Sequence, residues 1–302
     1  MTLRTLAMAA LVAMAPLAAS QAQARPSTDV WLVTLDGPGI PRVGHAENLT
    51  RRIGYDNQPS FTPDGQSILY TRIEGNAPSD VWRIDLATHT QSNVTRTTVE
   101  SEYSPTPMPD GRHFSTVRVE ADSAQRLWRF ALDGTEVPAL LLEQIAPVGY
   151  HVWANDVALG LYVLGAPLGR GTAPATLQLA DVRTGTAEIV ARDIGRALQK
   201  IPGRAAISYL QQGKDTSWIT ALDVRTGRST RIAPAPAGSD FHVWLPEGYL
   251  VASAGARLLV WVDGRWDVLA DLAGDGVRNI SRMALSPAGD RLVFVAEDRV
   301  TP

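Results

Sequence analysis

The chain has 302 residues, a formal net charge of −3 and no cysteine. This length allows a large hydrophobic core, and disulfide bonds cannot contribute to stability because there is no cysteine to form them. The slightly acidic balance argues against a nucleic-acid partner, since binding to a phosphate backbone needs a concentrated positive surface.

The N-terminal segment has the pattern of a secretory signal peptide. Arg4 provides the positive charge, an apolar stretch follows from Leu6 to Ala19, and Ala22-Gln23-Ala24 forms a small-residue cleavage site. The apolar stretch is short and rich in alanine, which disfavours a membrane span and leaves a buried N-terminal helix as the alternative. We therefore predict a signal peptide over residues 1–24 and export of residues 25–302 to the periplasm or out of the cell.

The rest of the chain repeats one pattern of short β segments and turns. In the clearest copy, Pro63-Asp64-Gly65 joins two β-rich segments, an alternating segment follows at 80–84, and a turn at Asp85 leads to a short fourth segment. Both turns recur along the chain, the first at intervals of 41 to 47 residues. The first turn type falls at Gly65, Gly111, Asp156, Gly203, Gly248 and Gly289, and the second at Asp36, Asp85, Asp133, Asp181, Asp223 and Asp263.

This repeat predicts an all-β chain folded as a six-bladed β-propeller. A period of about 40 to 50 residues with four strands in each unit is typical of propellers, in which radial packing covers both faces of every sheet. The ends of the chain complete each other, because 29–35 and 47–50 match a third and a fourth strand while 282–285 and 291–295 match a first and a second. We expect these four segments to form the last blade and to close the ring, and an open stack of repeats is the alternative.

The repeat resembles a known family. The segment Tyr55-Asp56-Asn57-Gln58-Pro59-Ser60-Phe61-Thr62-Pro63-Asp64-Gly65 is similar to the repeat motif of TolB-like six-bladed propellers, and 108–111 and 286–290 are weaker copies. The resemblance covers the whole chain after the predicted signal and implies a single propeller domain over residues 25–302. It implies no particular ligand, and we expect the small α/β domain that precedes the propeller in TolB to be absent.

The segments that lead into each first strand are the candidate binding site. In propellers these segments surround one mouth of the central channel, so their polar side chains can converge on a ligand. The alternative is that such residues bind only structural water and backbone groups, and the matching repeat positions of His151 and His242 favour a shared structural hydrogen bond. The predicted ligand-binding residues are Asp56, Asn57, Glu102, Tyr103, Tyr150, His151, Arg196, Asp240 and His242.

Other conspicuous residues have structural interpretations. The recurring third-strand tryptophans are expected to pack between blades, although they could form a carbohydrate platform. We expect His45, His89 and His113 to be solvated, and three segments that fit the glycosylation sequon, Asn48-Leu49-Thr50 among them, to be ordinary strand or loop residues. The tryptophans are Trp31, Trp82, Trp128 and Trp218.

The sequence contains no recognisable catalytic constellation. It lacks the Gly-x-Ser-x-Gly and His-Glu-x-x-His patterns, and we assign no catalytic residue. We expect an exported, monomeric, non-enzymatic module without a cofactor, which binds a protein, peptide or glycan at a propeller mouth. The alternative is a metal-dependent lactonase, sugar lyase or hydrolase with a divalent cation in the channel. The metal ligands would then come from Asp56, Glu102, His151, Asp240 and His242.

Overall fold

The computed structural model describes residues 27–166 and 172–298. The predicted signal peptide lies outside the described residues. Within them the chain is nearly all β, with 25 strands and one 3-10 turn at Ala273–Asp275. No helix in the described part has the length and apolar character that crossing a membrane requires.

The strands are short and follow one another along the chain. The first half contains β1 (Thr28–Asp36), β2 (Arg42–Val43), β3 (Glu47–Asn48), β4 (Tyr55–Phe61), β5 (Ser67–Ile73), β6 (Ser79–Asp85), β7 (Gln91–Asn93), β8 (Ser101–Pro107), β9 (His113–Val119), β10 (Gln125–Ala131), β11 (Ala139–Leu140), β12 (Val148–Trp153) and β13 (Ala158–Val163). The second half contains β14 (Thr176–Asp181), β15 (Thr186–Arg192), β16 (Ile194–Lys200), β17 (Ala206–Gln211), β18 (Trp218–Asp223), β19 (Ser229–Pro234), β20 (His242–Trp244), β21 (Leu250–Ala254), β22 (Arg257–Val262), β23 (Arg265–Asp271), β24 (Ser281–Leu285) and β25 (Arg291–Glu297).

Four-stranded antiparallel sheets are the unit of the fold. Strands β8–β11, β12–β15, β16–β19 and β20–β23 form one such sheet each. The remaining nine strands are hydrogen-bonded in the order β24-β25-β1-β4-β5-β6-β7, with β2 and β3 also paired to β1. A single parallel pair, Thr28 with Tyr55, joins β1 to β4. The nine strands are therefore two groups of four, β24-β25-β1-β3 and β4–β7, together with the short β2.

The two ends of the chain meet in one of these groups. β1 pairs with β25 over seven residue pairs, from Thr28 opposite Glu297 to Thr34 opposite Arg291. β24 pairs with β25, and β3 pairs with β1. The predicted pairing of N-terminal with C-terminal segments is thus confirmed.

The predicted turns lie where the strands change direction. All six residues of the first series fall between the first and second strands of a four-strand group. The five glycines among them have φ between 66° and 89°, which only glycine adopts without strain. The aspartates of the second series end or directly follow third strands. Asp85 accepts a 2.8 Å hydrogen bond from the Thr88 backbone, and Asp223 accepts a 3.0 Å bond from the Thr226 backbone.

One sequence motif shows that the N-terminal strands are a true copy of the repeat. Asp29 accepts hydrogen bonds from the Asn48 side chain at 2.6 Å and the Thr50 hydroxyl at 2.6 Å. In the next group, Asp80 accepts the same bonds from Asn93 at 2.8 Å and Thr95 at 2.9 Å. The sequon-like segments at Asn48 and Asn93 are therefore ordinary strand and turn residues, as expected.

Apolar side chains fill the space between neighbouring groups. One core cluster combines Val30 and Val293 from the group that unites the chain ends with Phe61, Ile68 and Tyr70 from β4 and β5. The four repeated tryptophans lie in third strands as predicted, and Trp31, Trp82 and Trp128 pack against core clusters. Arginine guanidinium groups lie 4.1 to 5.0 Å above the rings of Trp82, Trp128 and Trp218.

The expectation that His113 is solvated is wrong. The residue is only 4% exposed. Its Nδ1 lies 2.7 Å from Asp110 and its Nε2 3.1 Å from Glu136. Both carboxylates come from turns that flank the strand pair β9–β10, so the histidine joins two adjacent turns.

Candidate functional site

First strands from all the four-strand groups meet around a common cavity. β4 contacts β8, β12 contacts both β8 and β16, β20 contacts β16 and β24, and β24 contacts β4. The cavity between them has a volume of about 170 Å³. Each group places one of six prominent side chains at this cavity, namely Gln58, Ser104, Tyr150, Arg196, Phe241 and Arg282.

Backbone bulges direct several of these side chains. Strand pairing shifts register between Asn57 and Ser60, and equivalent shifts occur in β8 and β24. Inside these bulges Gln58, Ser104 and Arg282 have φ of 55°, 55° and 50°, the left-handed region that residues other than glycine seldom adopt. Surrounding contacts hold the conformation, since the Gln58 Oε1 accepts a 2.9 Å hydrogen bond from the Ser104 backbone.

Arg282 is held in the cavity by two aromatic rings. Its guanidinium carbon lies 4.6 Å from the ring centre of Tyr150 and 4.5 Å from that of Phe241. One guanidinium nitrogen donates a 3.0 Å hydrogen bond to the Tyr150 hydroxyl. Arg282 is half-buried, yet no described carboxylate forms an ion pair with it.

The cavity is positively charged. Arg196, which is exposed, is its second arginine and is likewise without an ion pair among the described residues. None of the described lining residues is an aspartate or a glutamate. Two guanidinium groups at one small opening create a potential that favours an anionic ligand group.

Polar atoms of the wall lack partners. Ser60 Oγ, Ser104 Oγ and His151 Nδ1 are buried and have no hydrogen-bond partner in the described part of the chain. All three residues line the cavity. A buried polar atom without a partner costs free energy. The Nδ1 atom of His242, in the equivalent triad away from this cavity, likewise has no partner among the described residues.

A second cavity lies beyond the first. It has a volume of about 560 Å³ and shares with the first cavity a wall that includes Ser60, Val152 and Gln199. The Gln199 side chain donates a 3.2 Å hydrogen bond to the Met283 carbonyl, which links β16 to β24 at this level. The second cavity is lined by prolines and by Trp153 and is more apolar than the first.

The two matched histidines belong to identical buried triads. Ser115 Oγ lies 2.6 Å from His151 Nε2 and accepts a 2.9 Å hydrogen bond from the Trp153 indole. In the same way, Ser208 Oγ lies 2.8 Å from His242 Nε2 and accepts a 2.8 Å bond from Trp244. Each triad joins the second strand of one group to the first strand of the next. Burial lowers the pKa of both histidines to about 3, so both are neutral at physiological pH.

The structure places three of the nine predicted binding residues at the cavity, namely Tyr150, His151 and Arg196. Asp56 and Glu102 are fully buried and bonded to arginines. Asp56 accepts hydrogen bonds of 3.1 and 2.9 Å from Arg52, and Glu102 accepts a 2.9 Å bond from Arg118. Burial raises the pKa of Asp56 to about 6 and that of Glu102 above its usual range, although the neighbouring arginines lower both.

The other four predicted residues do not line this cavity. Asn57 is buried and donates a 3.2 Å hydrogen bond to the Thr28 hydroxyl. Tyr103 packs against a hydrophobic cluster between β9 and β13. Asp240 is exposed, and His242 is 1% exposed inside its triad.

Sequence reasoning did not select Gln58, Ser104, Phe241 and Arg282. Each lies within one or two residues of a selected residue or at the equivalent repeat position. The sequence does contain one signal, since Gln58 and Ser104 both precede a proline. The residue before a proline avoids the right-handed helical region. That signal marks an irregular backbone but does not reveal which side chain faces the cavity.

The cavity does not suit a divalent cation. Such an ion needs several oxygen ligands, preferably carboxylates, whereas this wall carries two guanidinium groups. Asp56 and Glu102 are already bonded to arginines within the sheets. No group of three or more metal-binding side chains occurs in residues 27–166 and 172–298.

Comparison with known proteins identifies the fold. No family profile matches the sequence, and no curated protein matches it. Among solved structures, a putative TolB from Agrobacterium tumefaciens is similar with a TM-score of 0.66 and 14% identity, over 91% of this chain and 100% of that one. The chain has a TolB-like propeller fold.

Two enzymes share this fold. A gluconolactonase from Xanthomonas campestris is similar with a TM-score of 0.62 and 14% identity, over 91% of this chain and 99% of that one. An oligogalacturonate lyase in complex with manganese is similar with a TM-score of 0.57 and 14% identity, over 84% of this chain and 80% of that one. At these identities the similarity establishes the fold and not the activity.

Proposed function

We propose that the protein is an exported binding module, a closed six-bladed propeller that recognises a protein, peptide or glycan at the mouth of its channel. The observation that carries the proposal is the cavity at Arg282, a small opening with two unpaired arginines and unpartnered polar atoms. A rigid site with prepared polar groups binds a ligand at low entropic cost.

Six blades and a closed ring are supported by the strand contacts. There are five sheets, and the nine-stranded one divides at a single residue pair into two groups of four and a short extra strand. The contacts between first strands lead from β4 through the other groups to β24 and back to β4. A single domain over residues 25–302 follows from this proposal, as does a monomer, because a closed ring leaves no group uncovered.

Binding is favoured over catalysis by the state of the reactive groups. The Ser115–His151 and Ser208–His242 pairs resemble a nucleophile and its base, yet each serine already accepts an indole hydrogen bond and each is fully buried. The low pKa of these histidines makes them weak bases. The alternative enzyme needs Asp56 and Glu102 as metal ligands, and both are bonded to arginines.

The proposal is tested with purified protein of residues 25–302 on peptide and glycan arrays. Wild type should bind a subset of probes, and the variants Arg196→Gln and Arg282→Gln should lose them. The matched control is Arg228→Gln, an exposed arginine in the turn between β18 and β19. Binding that survives both mouth substitutions would refute this site.

The enzymatic alternative has its own measurement. The same protein is assayed for lactone hydrolysis and for cleavage of oligogalacturonate, with and without manganese. Turnover that disappears in Asp56→Asn or Glu102→Gln would replace the binding proposal with the enzymatic one.

The predicted export is tested by the mature N-terminus. Expression of the full chain in a bacterium, followed by fractionation and N-terminal sequencing, should give periplasmic or secreted protein that begins at Arg25. Retention in the cytoplasm with residues 1–24 intact would contradict this part of the proposal.

A further inference from the structure

The position of Arg282 carries a free-energy cost, which an anionic ligand would offset. The side chain is half-buried and packs against the rings of Tyr150 and Phe241, and no described carboxylate pairs with it. Removing a guanidinium from water without a counter-charge is unfavourable. Arg282 also has a left-handed backbone conformation, which is strained for a residue other than glycine. The fold therefore holds this residue in position despite both the desolvation of its guanidinium and the strain of its backbone.

The geometry favours a carboxylate as the missing partner. The Tyr150 hydroxyl accepts a hydrogen bond from one guanidinium nitrogen, and the remaining donors of Arg282 have no acceptor among the described residues. A planar guanidinium matches the two oxygens of a carboxylate. Arg196 adds a second positive charge at the same cavity.

The surroundings distinguish a peptide from a sugar acid. A sugar usually binds against the open face of an aromatic ring, but the guanidinium of Arg282 covers a face of Tyr150 and of Phe241. The cavity volume of about 170 Å³ is sufficient for one small residue and its carboxylate. The apolar part of the wall, including Pro105, Val152 and Leu198, suits an apolar side chain next to that carboxylate.

Deeper polar atoms complete the complement of a peptide end. His151 Nδ1 and the hydroxyls of Ser60 and Ser104 lie buried in the wall without partners. A terminal peptide unit offers one N–H donor and carbonyl oxygens in addition to the carboxylate. The N–H and carbonyl groups of a peptide end can therefore form hydrogen bonds with these unpaired atoms of the wall.

We infer that the channel mouth captures the free carboxyl terminus of a peptide or protein, with its carboxylate between Arg282 and Arg196. The inference rests on the proposed binding function and specifies its ligand. It assigns Arg282 as the main anchor, and Tyr150 and Phe241 as positioning residues that orient the guanidinium.

The test compares free and amidated peptide ends. A pooled library of short peptides with randomised last three residues is synthesised twice, once with a free carboxylate and once with an amide, and binding to the protein is measured by fluorescence anisotropy. Free-acid peptides should bind, and the best of them should lose affinity about 10- to 100-fold on amidation, the usual effect of losing charge-assisted hydrogen bonds.

Variants of Arg282 test whether this residue causes the preference for a free carboxylate. Arg282→Gln should weaken free-acid peptides to the level of their amides, and Arg282→Lys should recover only part of the affinity because an ammonium cannot form the bidentate pair or the same stack. Arg228→Gln should bind as wild type does. Circular dichroism melting of each variant separates a lost ligand contact from a lost fold.

Each of five outcomes would overturn the inference. Equal binding of acid and amide peptides, or equal binding by Arg282→Gln, would exclude carboxylate capture while leaving a peptide-binding module intact. Oligogalacturonate that competes better than the best peptide would assign the mouth to a sugar acid, and inorganic phosphate that competes equally would make it a general anion site. Binding of no probe, on these libraries or on the arrays, would refute the proposed function itself.

Discussion

At the residue scale, the serine at the centre of each Ser–His–Trp triad is fully buried and bonded to two side chains. Ser115 lies in β9, while its partners His151 and Trp153 lie in β12 of the next group. The serine thus joins two groups through buried hydrogen bonds. Bonds of this kind fix the relative position of neighbouring sheets, which apolar packing alone specifies less sharply.

We predict that Ser115→Ala destabilises the protein by about 1 to 3 kcal/mol, because it leaves buried nitrogen atoms of His151 and Trp153 without partners. Ser208→Ala should have a similar effect, since its triad has the same geometry. Urea unfolding followed by tryptophan fluorescence measures both. Ser92→Ala, on the exposed side of β7, is the control, and an equal loss in that variant would contradict the assigned role.

The two buried histidines also predict how stability depends on pH. Their pKa is about 3 in the folded chain and about 6.5 in the unfolded chain, so the unfolded state binds more protons between these values. Stability contributed by the neutral form is present above pH 6.5 and is lost as the pH falls toward 3. Each histidine should lower the free energy of unfolding by up to about 1.4 kcal/mol per pH unit within this window.

The measurement is the free energy of unfolding at pH 7 and pH 5 for wild type and for His151→Gln with His242→Gln. The double variant should lose part of the difference between the two pH values. His89→Gln, whose side chain is 54% exposed, should keep that difference unchanged. A double variant with the wild-type pH dependence would show that the histidines do not cause it.

At the element scale, an aspartate at the start of a third strand holds the fourth strand in place through hydrogen bonds. Asp80 accepts hydrogen bonds from Asn93, from Thr95 and from both the backbone and the hydroxyl of Thr97. The fourth strand in this group, β7, has only three residues, so backbone pairing alone gives it little stability. Side-chain hydrogen bonds to the Asp80 carboxylate therefore compensate for the small number of backbone hydrogen bonds that β7 can form.

We predict that Asp80→Ala lowers the free energy of unfolding by about 2 to 4 kcal/mol, because several buried or half-buried donors lose a charged acceptor together. Asp29→Ala should resemble it, since Asp29 bonds to Asn48 and Thr50 in the same pattern. Thermal and urea unfolding provide the values. Asp215→Ala, at an exposed loop position, is the matched control, and a loss of similar size there would refute the explanation.

The sequence predicted strands and turns well because short-range physics decides them. A glycine such as Gly65 is needed wherever the turn requires positive φ, and an aspartate such as Asp85 caps its own turn. The pairing of the chain ends was also predictable from the sequence. The N-terminal segments match a third and a fourth strand with no first or second strand before them, and the C-terminal segments match a first and a second strand with no third strand after them. Burial of His113 was missed because its partners Asp110 and Glu136 lie in two different turns.

The candidate site was predicted only in its location. The predicted segments do surround the cavity, although most of their residues lie within the first strands and not before them. A bulge follows Asn57, so Gln58 faces the cavity while the Asp56 side chain is buried. Pairing of Asp56 with Arg52 and of Glu102 with Arg118 depends on tertiary distances. The stack around Arg282 joins three groups, and such convergence is absent from any single repeat.

At the scale of the whole molecule, the chain ends stabilise one another. Ser27 and Asp298 are adjacent, since the Asp298 backbone donates a 3.1 Å hydrogen bond to the Ser27 carbonyl. β1 separates β25 from β3, and Val30 and Val293 are both fully buried in the same cluster. The N-terminal strands β1 and β3 therefore belong to a group whose other two strands, β24 and β25, are synthesised last.

We predict that deletion of residues 29–35 leaves β25 with an unpaired edge, exposes the apolar face around Val293, and causes aggregation or a much lower melting temperature. Light scattering after size-exclusion chromatography and a thermal melt measure these effects. The control is a permuted chain that starts at residue 53 and carries residues 27–52 after residue 298 through a short flexible linker, which the proximity of Ser27 and Asp298 allows. The permuted chain should be monomeric and fold with the same sheet, because β1 is present again beside β25. A deletion variant that stays monomeric with an unchanged melting temperature would disprove the role of β1 in stabilising this group of strands.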